Sequence, residues 1–231
     1  MNNMIELKNI YKSYFSSKKI DILNNVNFIF ETGKIYSLIG PSGSGKSTLL
    51  NLLSLIDTPS SGYIKLDNLK INNTDNDLRD NIRSKKIGII YQDKNLLSDF
   101  TTLENVYMAR LALDDNKKKA EFDAKSLIKK VGLSKRLKHF PSELSGGESQ
   151  RVAISRALIN SPDIILADEP TGNLDYKNAK DIFKLLFSLK NKKRIIVFAT
   201  HNRYFADMSD CKLTLINGKI NFIDGRNKKK F

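Results

Sequence analysis

The residues best equipped for chemistry form one unbroken run: Gly40, Pro41, Ser42, Gly43, Ser44, Gly45, Lys46, Ser47 and Thr48. The first eight satisfy G-x-x-x-x-G-K-[ST] at every fixed position. Each residue type has a physical reason to be there. Gly43 and Gly45 let the backbone take φ > 0 or approach a ligand closely. The loop's N–H groups and the positive end of a following helix present an anion cradle. Lys46 is placed to reach the β- and γ-phosphates of ATP, and the Ser47 hydroxyl to bind Mg²⁺. The flanks fit: Ile35–Ile39 is a short apolar run suited to a buried strand, and residues 48–53 read as the first turns of a helix.

Two further stretches carry chemistry. Residues 164–167 form an apolar strand that ends in Asp168 and Glu169. Ligands of open α/β sheets bind at the carboxyl ends of the strands, so this pair is the expected partner of a phosphate loop. Asp168 is expected to hold Mg²⁺ through water, and Glu169 to orient or deprotonate an attacking water. The second stretch is Leu144, Ser145, Gly146, Gly147 and Glu148. Ser145 is suited to capping a helix that starts near Glu148, which makes a second anion site at a helix N-terminus. One chain has little use for two cradles on one phosphate. The second is therefore expected to serve another copy of the protein.

The elements that must position these groups follow from periodicity. Strands are expected at 4–7 and 26–30, with a polar turn at 15–21 between them, and again at 63–66 and 87–90. Residues 70–81 are polar and read as loop. From 103 to 158 the pattern is mainly helical, with Ala120, Ala124, Leu127, Ile128 and Val131 on one face and Gly132 as a stop. Strands resume at 164–167 and 195–198, separated by a helix through Ile182, Phe183 and Leu186. A hairpin closes around Asn217-Gly218. The fold class is α/β: a phosphate-loop core with a mixed sheet, N-terminal antiparallel strands and an inserted helical subdomain. The expected division is a single domain over 1–231, with core segments 1–91 and 159–231 and a helical lobe at 92–158.

Composition narrows the function classes. The chain of 231 residues carries 39 Lys+Arg against 25 Asp+Glu, a net charge of +14. The basic residues are scattered in pairs such as Lys85-Lys86 and Lys192-Lys193, which suits solvated faces better than one designed stripe. No nucleic-acid partner is expected. The basic tail at 226–230 is a candidate for acidic headgroups, with a frayed terminus as the plainer account. No apolar run approaches the ~18 residues that span a bilayer, and the first six residues lack the features of a signal peptide. Cys211 is the single cysteine, which excludes an intrachain disulfide framework and a cysteine zinc cluster.

Residues 144–148 resemble the signature of ATP-binding cassette (ABC) ATPases, and the remaining family motifs occur in order. Gln92 resembles the Q-loop glutamine, residues 172–175 the D-loop ending in Asp175, and His201 the switch histidine. Tyr14 resembles the aromatic that stacks on adenine, with Tyr11 second to it. The resemblance implies two chains sandwiching two ATP molecules, each site joining one chain's phosphate loop to Ser145 and Gly147 of the other. It implies Ser47, Gln92 and Asp168 around Mg²⁺, and Glu169, His201, Gln92 and Lys46 in hydrolysis. Residues 91–92, 96–106, 141–147 and 167–175 are similar to ATPase subunits of lipoprotein-releasing complexes, and to the macrolide-exporter and cell-division ATPases of the same subgroup. The implied protein is a homodimeric ATPase bound peripherally to the cytoplasmic face of the inner membrane, driving separate transmembrane permease subunits. Asp93, Ser149 and Asn202 depart from that pattern. DNA-associated ATPases with related motifs place long coiled coils or zinc modules between the phosphate loop and the signature. Here that interval is short and has no cysteine.

Overall fold

The computed structural model describes residues 4–15, 17–71, 76–113 and 116–223. The chain opens with a long antiparallel hairpin, β1 (Met4–Phe15) and β2 (Lys19–Glu31). Both strands run well beyond the expected 4–7 and 26–30. Simple alternation fails because Asn9 and Asn25 sit at φ 49° and 52°, and the pairing register shifts between Leu7 and Ile10. Asparagine tolerates this left-handed backbone, and each irregularity changes which side chains face inward. The turn is correspondingly shorter than 15–21, since Phe15 already pairs with Lys19. After β3 (Ile35–Ile39) and α1 (Lys46–Leu53), strands β4 (Ser61–Leu66) and β5 (Leu69–Ile71) complete a sheet of order β2-β1-β4-β5.

The expected loop at 70–81 is corrected. Residues 69–71 extend the sheet, and α2 (Asn76–Lys86) follows, while 72–75 fall outside the described residues. This helix offers almost no apolar stripe. Ile82 is buried, and Arg79 is buried with its guanidinium donating to the Leu55 carbonyl at 2.6 Å. Tertiary hydrogen bonding thus overrides a weak local pattern.

The second sheet combines β6 (Ile87–Ile90), β7 (Ile164–Asp168), β8 (Ile195–Ala199), β9 (Cys211–Ile216) and β10 (Lys219–Ile223) with β3. Its order is β10-β9-β3-β8-β7-β6, parallel throughout except for the terminal β9-β10 hairpin. Side chains alternate across it. Ile164, Leu166, Ile195 and Val197 face α1 and the antiparallel sheet. Ile165, Ala167, Ile196 and Phe198 face the other way, onto α5 (Gly146–Leu158), α6 (Tyr176–Ser188) and α7 (Arg203–Ala206). Burial on both faces explains why these strands read as continuous apolar runs.

A third cluster forms among α3 (Thr102–Leu111), α4 (Lys117–Lys130) and α5, around Val106, Ala124, Ile128 and Val152. Gly132, at φ +79°, follows the end of α4 as the sequence requires. Helix α5 belongs to both packings. It lies so close to β6 that a Cβ on Gly88 would come 2.3 Å from the Ala157 carbonyl oxygen. Near its carboxyl end, Arg156 donates to the carbonyls of Lys94 (2.7 Å) and Asn95 (2.6 Å). Among the described residues no helix is long and apolar enough to cross a membrane.

Candidate active site

Strand β3 delivers the chain at Ile39 into a tight loop, and α1 begins at Lys46. Gly45 is the residue before that helix, at φ 99°, and no side chain caps the helix. A Cβ on Gly45 would also come 2.8 Å from Cγ2 of Ile22, so conformation and space both demand glycine. Gly43, at φ +74°, has open space around it, and there the backbone alone decides. The first N–H groups of α1 thus point outward with no protein acceptor from a cap. The Ser44 hydroxyl is buried without a hydrogen-bond partner. Free helix N–H groups and an orphaned hydroxyl are what an anion would complete. Lys46 arches back over the loop, its ammonium donating to the carbonyls of Gly40 and Pro41, both at 2.9 Å.

Three neighbouring strands bring side chains to the same edge. β6 leads to Gln92, β7 to Asp168 and Glu169, and β8 to Thr200 and His201. Glu169 sits at φ +43°, an unfavourable backbone for a non-glycine residue. Its N–H donates to the Ala199 carbonyl (3.1 Å), which fastens the turn to β8. One carboxylate oxygen then lies 3.0 Å from Nδ1 of His201. Glu169 is 15% exposed and His201 74% exposed, so the carboxylate is sheltered and the imidazole reaches it from the solvent side. Gly172 packs against the Gln92 amide: a Cβ there would come 3.1 Å from its Nε2.

These groups line one open cleft of about 560 Å³. The phosphate loop contributes Gly40, Ser42, Gly43, Gly45, Lys46, Ser47 and Thr48, and the opposite wall holds Gln92, Asp168, Glu169 and His201. Pro41 and Ser44 belong to the loop but not to the lining. Two lining residues escaped the sequence reading of the site. Gly172 stands out in the sequence only as part of the 172–175 motif, and Ile22, from β2, carries no local signal that it covers the loop.

Tyr14 lies beside the cleft. Its hydroxyl donates to Asp57 at 2.7 Å, and the Thr48 side chain also reaches it. Burial and then the Asp57 carboxylate raise the phenol's pKa above its ordinary value. Burial alone would raise the pKa of Asp57, but hydrogen bonds from Lys12, Tyr14 and its own neighbour's N–H outweigh it and hold the carboxyl below its ordinary range.

Leu144, Ser145, Gly146, Gly147 and Glu148 are absent from the lining of this cleft. They form the amino end of α5. Helix α5 starts at Gly146, two residues before the expected position, with Ser145 as its cap. The Ser145 hydroxyl accepts from the Glu148 N–H (3.3 Å), and Glu148 accepts from the Ser145 N–H (2.8 Å). Glu148 also accepts from Arg136 Nε at 2.8 Å. The Ser145 N–H, followed by Arg136, pulls the Glu148 pKa down to about 2. Both glycines pack closely: a Cβ on Gly147 would come 2.7 Å from the Asn178 amide oxygen, and one on Gly146 would press on Leu174 at 3.2 Å. Asp175, also outside the lining, caps α6 by accepting from the Asn178 N–H at 3.0 Å. Gly146 and Gly147 therefore meet Leu174 and Asn178, outside the lining of the chain's own phosphate cleft.

Residues 23–172 match the family model described as ABC transporter. Among curated relatives, a "Lipoprotein-releasing system ATP-binding protein LolD" from Wigglesworthia glossinidia brevipalpis is 47% identical, over 95% of this chain and 98% of its own length. A protein of the same name from Cytophaga hutchinsonii is 40% identical, over 95% and 100%. Among solved structures, a dimeric ATP-binding cassette in a post-hydrolysis state bound to ADP and Pi superposes with a TM-score of 0.89 at 37% identity, over 96% of this chain and 99% of that one. A dimeric bacterial ABC transporter cassette superposes at 0.88 and 38%.

Proposed function

The chain belongs to the ABC transporter family of ATP-hydrolysing proteins, and from that premise we propose that it powers a lipoprotein-releasing system through separate transmembrane subunits. The observation that carries the hydrolytic reading is the sheltered Glu169 carboxylate, held 3.0 Å from His201 and facing the phosphate loop across one cleft.

The residues take the following parts. Backbone N–H groups of the phosphate loop, at 42–43 and 45, and of the N-terminus of α1 hold the phosphates of ATP. Lys46 exchanges the Gly40 and Pro41 carbonyls for phosphate oxygens. Glu169 takes a proton from water as the water oxygen bonds to the γ-phosphorus and the bond to the β,γ-bridging oxygen breaks. His201 orients Glu169 and that water. Ser47, Gln92 and Asp168 offer a hydroxyl, an amide oxygen and a carboxylate to the same cleft, a hard-oxygen set that fits Mg²⁺ with water and phosphate completing its shell. Bound there, Mg²⁺ would neutralise charge on the triphosphate.

Ser145 and Gly147 lie outside the chain's own cleft, and this supports a homodimer in which each signature stretch closes the partner's site. The residues at 92–158 act as the lobe that meets the membrane subunits, with 93–102 as its contact. The ATPase works at the cytoplasmic face of the inner membrane, to which the permease holds it.

The test is reconstitution with the membrane partner in proteoliposomes carrying a lipoprotein. ATP should drive lipoprotein release, and Glu169→Gln should cut hydrolysis by about 10²–10⁴-fold while ATP binding persists. Near-normal turnover in that variant would remove Glu169 from the role of base. ATP hydrolysis without lipoprotein release would point to another cargo.

A further inference from the structure

We infer that Asp57 and Lys12 are positioning residues that lock Tyr14 into a one-faced platform for the nucleobase. The inference rests on the reading of Tyr14 as the base-stacking residue, and it deepens that reading.

The geometry is a closed set of contacts. The Asp57 carboxylate accepts from the Tyr14 hydroxyl with one oxygen (2.7 Å), and from Lys12 Nζ (2.6 Å) and the Thr58 N–H (2.7 Å) with the other. Lys12 Nζ also donates to the Thr58 carbonyl at 2.9 Å. That ammonium lies 4.7 Å from the centroid of the Tyr14 ring. Lys12 is 8% exposed whereas Tyr14 is 42% exposed. The cation therefore covers the inner face of the ring, and the outer face is open. The phenol is spent on Asp57, so what the ring offers a base is a π-face. Lys12 and Tyr14 stand two apart on β1, and both side chains reach the Asp57 carboxylate. Asp57 is on the turn after α1, where its N–H donates to Asn51. One carboxylate thus ties the stacking ring to the helix that begins at the phosphate loop. The span from ring to phosphates is fixed before any nucleotide arrives, which lowers the ordering cost of binding.

A residue acting through Tyr14 makes a different prediction from one that merely braces α1. The probes are 1,N6-ethenoadenosine triphosphate, whose fluorescence is quenched on stacking, and inorganic tripolyphosphate, which has no base. Asp57→Ala and Lys12→Met should each relieve the quench and weaken binding of the etheno nucleotide roughly three- to tenfold. Tripolyphosphate affinity should stay within about twofold, and Asp57→Ala should add nothing in a Tyr14→Ala background. Loss of both ligands together would overturn the proposal, because Asp57 would then be a brace for the phosphate loop. So would unchanged etheno-nucleotide binding in Asp57→Ala when Tyr14→Ala weakens it. If Tyr14→Ala itself leaves quench and affinity untouched, the platform reading fails, and that outcome is distinct from the other two.

Discussion

His201 touches Glu169 through a single 3.0 Å contact and is otherwise turned to solvent. Removing its side chain costs the core nothing, so the effect on hydrolysis can be separated from the effect on folding. His201→Ala should keep the thermal midpoint within a degree or two and lower the rate of phosphate release by about 10²–10⁴-fold. Melting curves and a phosphate-release assay on the same preparation check both halves. An unchanged rate would detach the imidazole from the reaction. The pair also marks the reach of sequence reasoning at this scale. Asp168, Glu169 and His201 stand out because each follows an apolar strand, and strands of a parallel sheet end on one edge. The Asp57 contact to Tyr14 does not stand out, because its partners are 43 residues apart and a lone acid after a helix has no pattern to betray it.

At the level of elements, the amino end of α5 depends on one carboxylate. Glu148 is unprotonated down to about pH 2 in the folded chain, against an ordinary value near 4.5. Its folded pKa is depressed. The stability it contributes is therefore fully present above about pH 4.5 and disappears as pH falls from there toward 2. Glu148→Gln should accordingly differ from the parent in unfolding midpoint at pH 7, with a gap that narrows below about pH 4.5 and closes only near pH 2. Denaturant titrations across that range test the sign; a gap that widens toward acid would refute the cap. Elements with strong periodicity are legible from sequence, including the central strands and α4. Those whose register is set by irregular backbone or distant partners are not. The length of the β1-β2 hairpin depends on Asn9 and Asn25 at positive φ, and α2 depends on an arginine reaching back to Leu55.

For the whole molecule, the separation of residues 144–148 from the chain's own cleft predicts that sites are shared between copies. Lys46→Ala disables one contribution to a site, and a Ser145→Arg change disables the other. Each variant alone should hydrolyse ATP slowly. Mixed in equal amounts, they should regain a measurable fraction of parental activity, because a mixed dimer holds one intact site. Titrating one variant into the other while following phosphate release gives the answer. Activity in a strictly monomeric preparation would sink the shared-site model.

Helix α5 has its ends fastened to different things. Ser145 caps one end, and near the other Arg156 grips the carbonyls of Lys94 and Asn95, just beyond Gln92. Thirteen residues of α-helix are a rod about 20 Å long that resists compression. Its last turn packs on β6 with no slack between Gly88 and Ala157. Residues 94–95 and Ser145 are therefore held at opposite ends of one stiff strut, and the spacing between the loop after Gln92 and the 144–148 stretch is set by the length of that helix.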